Sequence, residues 1–132
     1  MNSQTIAKAI GESGCYFLSL LHLAGEEGAA IELYEAAVSR KIMGADCFIQ
    51  DPAALLALAA GGKWSVTHQP AEYQPKSDEM EILRLERKAT TQTFAHFVVG
   101  DRHGAVLYDP LDSSQTVASG KLVSKRIVRK EA

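Results

Sequence analysis

Two cysteines, Cys15 and Cys47, and four histidines, His22, His68, His96 and His103, carry the nucleophilic and base chemistry available to this chain of 132 residues. Cys15 has an unusual setting. It follows Gly11-Glu12-Ser13-Gly14 and opens the apolar run CYFLSLLHLA, which ends at Gly25. A thiol attacks carbonyl carbon well only as the thiolate, and a free cysteine has a pKa near ~8.5. A helix N-terminus and a neighbouring imidazolium both lower that value. His96, in TFAHFVVG, is the candidate imidazole. Asp109, in AVLYDP, is the candidate third group. The two segments flank DRHG, a short hairpin connection. A turn at Arg102-His103 sets His96 directly opposite Asp109, so that both point to one face. A bulge at Gly104 shifts that register by one. The carboxylate then holds one tautomer of the ring, and the ring activates the thiol.

The elements that must position these groups can be read from periodicity and punctuation. A helix is expected from Gly14 or Cys15 to about Ala24, with Ser13 as its N-cap and Gly25 as its stop. It is apolar almost all round, so it belongs in the middle of the fold. A second helix, about residues 29–41, is amphipathic. A third is bounded by Asp51-Pro52 and Gly61-Gly62. Strands follow over 63–68, 80–87, 93–100, 105–109 and 121–129, with a polar loop over 71–79. Helices first and strands afterwards predict an α+β fold in one domain spanning 1–132.

Composition excludes several classes of function. The hydrophobic fraction is 46%, the charged fraction 23% and the net charge −2, values ordinary for a globular domain and without a charge argument for nucleic acid or a membrane surface. No segment reads as a membrane span or as a signal peptide, so a cytoplasmic location is expected. Two cysteines are too few for a disulfide framework, and no paired Cys or His spacing suggests a metal.

The Gly-Cys helix start, followed about eighty residues later by HFVVG…GAVLYDP, resembles the papain-like cysteine peptidase superfamily, in the style of the small bacterial C39-like and NlpC/P60-like groups. It is also similar to short bacterial and phage-encoded proteins. The resemblance implies N-terminal helices on a C-terminal antiparallel sheet and a catalytic set of Cys15, His96 and Asp109, with Pro110 completing an Asp-Pro. It implies cleavage of an amide bond in a peptide or protein, with neither metal nor organic cofactor. The superfamily commonly places a glutamine a few residues before the cysteine as an oxyanion donor. Here that region holds Ala9, and the remaining candidates for oxyanion or substrate contact are Gln4 and Ser13. Deamidation and acyl transfer use the same groups. A catalytically inactive binding or assembly protein on this fold is the alternative from another class.

The other reactive residues read as structural. Cys47 has no histidine partner in the sequence. His22 lies two helical turns, ~10 Å, beyond Cys15 and reads as core or edge. His103 is expected to be exposed in its turn, and Trp64 to pack. The basic stretch KLVSKRIVRK suits an acidic partner or, equally well, a solvated edge strand guarded by lysines.

Overall fold

Asn2 caps the first helix, its side-chain oxygen accepting the Thr5 N–H at 2.8 Å. The computed structural model describes residues 2–111 and 114–131. The elements are α1 (Ser3–Ser13), α2 (Cys15–Ala24), a 3-10 turn (Glu27–Ala29), α3 (Ala30–Ser39), α4 (Pro52–Ala60), β1 (Lys63–Pro70), β2 (Met80–Lys88), β3 (Thr93–Gly100), β4 (Val106–Tyr108), α5 (Ser114–Ser119) and β5 (Lys121–Glu131). The fold is α+β: N-terminal helices pack on a C-terminal five-stranded antiparallel sheet of order β1-β5-β2-β3-β4.

Two helices differ from the sequence-based expectation. α1 is additional, and it buries only Ile6 and Ile10. One i, i+4 pair is a faint apolar stripe. Ser13 therefore closes α1 rather than capping α2. The N-cap of α2 is Gly14, which offers no side-chain cap. α5 is also additional, a single short element before β5. α4 follows expectation, with Asp51 accepting the Ala54 N–H at 3.0 Å.

One face of the sheet carries the main core. Ile82, Val128 and Trp64 pack there against Ile6 and Ile10 of α1, Phe17, Leu20 and Leu21 of α2, and Leu55 and Leu56 of α4. α2 is central, touching the sheet, α1 and α4, as its near-uniform apolarity requires. The reverse face carries Leu83, Leu85 and Val98 under Val117 and Leu122.

The reverse face also buries an ion pair. Lys125 Nζ lies 2.9 Å from Glu81 Oε1, both side chains essentially without solvent exposure. Lys125 donates further to the Tyr73 carbonyl at 2.7 Å. Glu81 Oε2 accepts the backbone N–H groups of Arg102 (2.9 Å) and Gly104 (3.0 Å), so this carboxylate holds the β3–β4 loop. Gly100 makes room for it: a Cβ there would stand 2.4 Å from Glu81 Oε2. β5 is thus an interior strand between β1 and β2, not the expected lysine-guarded edge. Lys125 points inward because Glu81 waits for it, and that partner lies 44 residues back in the chain. Among the described residues no helix is long and apolar enough to cross a membrane.

Candidate active site

The corner between α1 and α2 sets the position of Cys15. Gly14 has φ −94° and ψ 14°, and its N–H donates to Ile10 O at 2.8 Å. A Cβ at Gly14 would sit 2.5 Å from Ile10 O and 2.8 Å from Ile10 Cα, so the turn closes only with glycine. This is the physical content of the Gly-Cys pair: the glycine permits the corner, and the corner puts Cys15 at the first turn of α2.

The first turn of α2 lies along an open sheet edge. β4 is short and pairs only with Val99 and Gly100, which leaves the outer backbone of Phe97 without a strand. α2 covers it. The Phe97 N–H points at Cys15 Sγ at 3.5 Å, and Ser19 Oγ donates to the Phe97 carbonyl at 3.5 Å. The same N–H donor that fixes the sulfur also favours its ionised form.

His96 and Asp109 meet, by a different register from the expected one. The ladder runs Val99 to Tyr108, and β4 ends at Tyr108, so Asp109 is not directly opposite His96. The loop is wider than a two-residue turn. Asp101 N–H bonds Ala105 O, and Arg102 and Gly104 both take positive φ. Extended past Tyr108, the ladder would place Leu111 opposite His96, two residues beyond the expected partner. An even shift keeps Asp109 on the face of His96, where an odd one would not. The His96 Nε2–H donates to Asp109 Oδ1 at 2.7 Å, with both side chains largely buried. Asp109 Oδ1 also accepts the Leu111 N–H at 3.1 Å, which fixes the carboxylate. With Nε2 occupied, Nδ1 is the ring nitrogen left for the thiol, and Cys15 and His96 are near enough that each shifts the other's ionisation.

The electrostatics follow from these contacts. Burial pushes the Cys15 thiol up, but the hydrogen bonds from His96 and the Phe97 N–H, with the charge of His96, outweigh it and hold the thiol below the ordinary range. Burial pulls the His96 imidazole down, but its bonds to Cys15 and Asp109 outweigh that and hold it above the usual histidine value. Both shifts favour a thiolate beside an imidazolium. Cys47 is the contrast. It is buried, its Sγ is 3.8 Å from Ala9 O, and burial with the charges of Asp46 and Cys15 pushes its thiol up to about 11.

A second network ties β4 to α2. His22 Nδ1 is 2.9 Å from Glu27 Oε1, the His22 ring stacks on Tyr108 at 4.1 Å, and the Tyr108 hydroxyl donates to Glu27 Oε2 at 2.6 Å. His22 is therefore a clamp on the residue just before Asp109. His103 is exposed, and Trp64 is buried with Nε1 donating to Gly61 O.

Cys15 and His96 open on a cleft of about 360 Å³ that Glu12, Arg87, Phe94 and Thr116 also line. Neither Gln4 nor Ser13 lines it. Ser13 is exposed at the end of α1, and Gln4 is exposed in its first turn, roughly 13 Å along the helix axis from Ser13. Arg87 and Phe94 are cleft residues that the sequence analysis passed over. The hairpin register would have found them: Leu85 pairs with His96 and Arg87 with Phe94, so all four share a face. Among the described residues no three His, Cys, Asp or Glu side chains gather as a metal site.

A family model described as "Protein of unknown function, DUF261" matches residues 1–130. The chain belongs to DUF261. No curated protein matches it, and no solved structure does. In this DUF261 chain, a thiol of lowered pKa, a base and an orienting carboxylate converge at one cleft, while the second thiol is buried and raised. That arrangement suits nucleophilic attack by Cys15 on an electrophilic carbon, with His96 moving the proton.

Proposed function

We propose that this protein is a papain-like thiol hydrolase of amide bonds in peptides or proteins. The observation that carries the reading is that Cys15, at the start of a central helix packed along the sheet edge, lines one cleft with His96, and that His96 is bonded to Asp109. Cys15 Sγ attacks the carbonyl carbon, and His96 takes the thiol proton. The carbonyl oxygen becomes an oxyanion beside the N-terminus of α2, where the helix dipole favours negative charge. The C–N bond then breaks, and His96 returns the proton to the leaving amine. Water, deprotonated by His96, attacks the thioester carbonyl, and the acid leaves as Cys15 is regenerated. Asp109 keeps the ring turned and favours its charged form throughout. The partner is a peptide or protein chain rather than nucleic acid or a membrane, no metal or organic cofactor enters these steps, and free thiols of this kind fit a reducing cytoplasm.

The test is cleavage of a mixed peptide library, read by mass spectrometry. New termini are expected with the wild-type protein and not with Cys15→Ser. Identical product lists for the two proteins, or no products from either, would contradict the reading.

A further inference from the structure

Arg87 stands on the wall of the cleft with no ion-pair partner among the described residues. It lies one diagonal step from His96 on the same face of the β2–β3 ladder, a separation of ~7–8 Å that a long side chain spans. Its guanidinium carbon sits 4.6 Å over the Phe94 ring, which holds the group in place. Its Nε is shut off from solvent and has no hydrogen-bond partner. The other strand arginines are engaged: Arg84 with Glu86, Arg126 with Ser124, and Arg129 with Asp78 and Glu131. No carboxylate pairs with Arg87 among the described residues. A buried donor without an acceptor is rare in folded proteins and costly where it occurs. Arg87 lines the cleft, so a ligand from outside the chain can reach the face of its guanidinium that opens there.

The surroundings select the sign of that ligand. On the far side of Arg87 a groove of about 630 Å³ carries Lys88 and Lys121, so the positive potential continues away from the thiol. Glu86, which also lines that groove, is already paired with Arg84. Glu12, which also lines the cleft, is exposed and lies 4.0 Å from Lys8 Nζ. A planar guanidinium matches a carboxylate through two parallel N–H bonds.

Resting on the thiol-hydrolase reading above, we infer that Arg87 selects substrates bearing a carboxylate close to the bond that Cys15 attacks. The carboxylate belongs to an acidic side chain or to a chain terminus.

Alkylation with iodoacetate and iodoacetamide, read at Cys15 by mass spectrometry, tests this without a known substrate. In both reactions the Cys15 thiolate displaces iodide, and the reagents differ by one negative charge. The rate ratio of acid to amide is taken at low salt, relative to the ratio for N-acetylcysteine. The His96 imidazolium also attracts an anion, so the decisive comparison is among Arg87 variants. Arg87→Gln is expected to lower the ratio roughly tenfold, about the worth of one charge-assisted bond, and Arg87→Lys to retain part of it. Both rates come from one sample, so loss of folded protein cancels. An unchanged ratio in Arg87→Gln, with Cys15 still reactive, overturns the inference and leaves the hydrolase reading standing. Cys15 inert to both reagents overturns both. Two chloroacetyl probes then separate the sources, one with a free terminal carboxylate and one with an aspartate side chain and a blocked terminus. A gain over its neutral counterpart with either probe supports the inference and names the source, and a gain with neither overturns it.

Discussion

Lys125→Met is expected to lower the folding free energy by about 3–5 kcal/mol, because it strands Glu81 as a buried, unpaired carboxylate. Folded domains have a total stability of about 5–15 kcal/mol, so much of the native population is at risk. Urea denaturation followed by circular dichroism reads the change. The double variant Glu81→Gln/Lys125→Met should recover most of the loss. Its neutral amide needs no cation, yet its carbonyl oxygen still accepts the Arg102 and Gly104 N–H groups. Lys125→Met within 1 kcal/mol of wild type would mean that the ion pair is not what holds the reverse face. The consequence reaches the site. Glu81 organises the loop between β3 and β4, and Asp109 lies five residues beyond Gly104 on the same segment. A loosened loop lets Asp109 swing away from His96, so the stability defect is expected to come with slower alkylation of Cys15 at neutral pH.

His96→Ala is expected to abolish the low-pH reactivity of Cys15. The sign follows from the competing causes. Burial raises the thiol pKa, and His96 is the largest influence that lowers it. Removing His96 leaves burial less opposed, so the thiol moves back up toward or above the free value of ~8.5, and the thiolate fraction at pH 7 drops. Peptide cleavage should fall further, by ~10²–10⁴-fold, since the leaving amine also loses its acid. Cys47, pushed up to about 11, is the internal control and should be inert in both proteins at neutral pH. Asp109→Asn should act in the same direction with a smaller shift, because it weakens the charged form of His96 without removing the ring. A Cys15 that alkylates at the same rate in His96→Ala as in wild type would detach the thiol from the histidine.

The chemistry was legible in the sequence more than the framework was. Cys15 after Gly14 at the start of an apolar run, and His96 and Asp109 on either side of a hairpin loop, are local signals, and the structure joins all three. The strands were legible for the same reason, since alternation and β-branched residues are local. The register at Asp109 was not. It depends on a wide loop clamped by Glu81, a residue of another strand. The place of β5 was hidden likewise: a run rich in lysine and arginine looks solvated until Glu81 is known to face Lys125. α1 was faint because it fully buries only one pair, Ile6 and Ile10. Its role emerges only at Gly14, where the close approach to Ile10 turns the chain and sets Cys15 at the cleft.

The central claim is that Cys15 and His96 form a thiolate–imidazolium pair. The most direct measurement is the ultraviolet absorbance of the thiolate across pH in the wild-type protein, with Cys15→Ser subtracted. The raised Cys47 stays silent over the relevant range. The account predicts a step for Cys15 with its midpoint clearly below ~8.5, the value of a free thiol. A midpoint at or above that value would make the Gly-Cys start a packing feature and contradict the hydrolase reading.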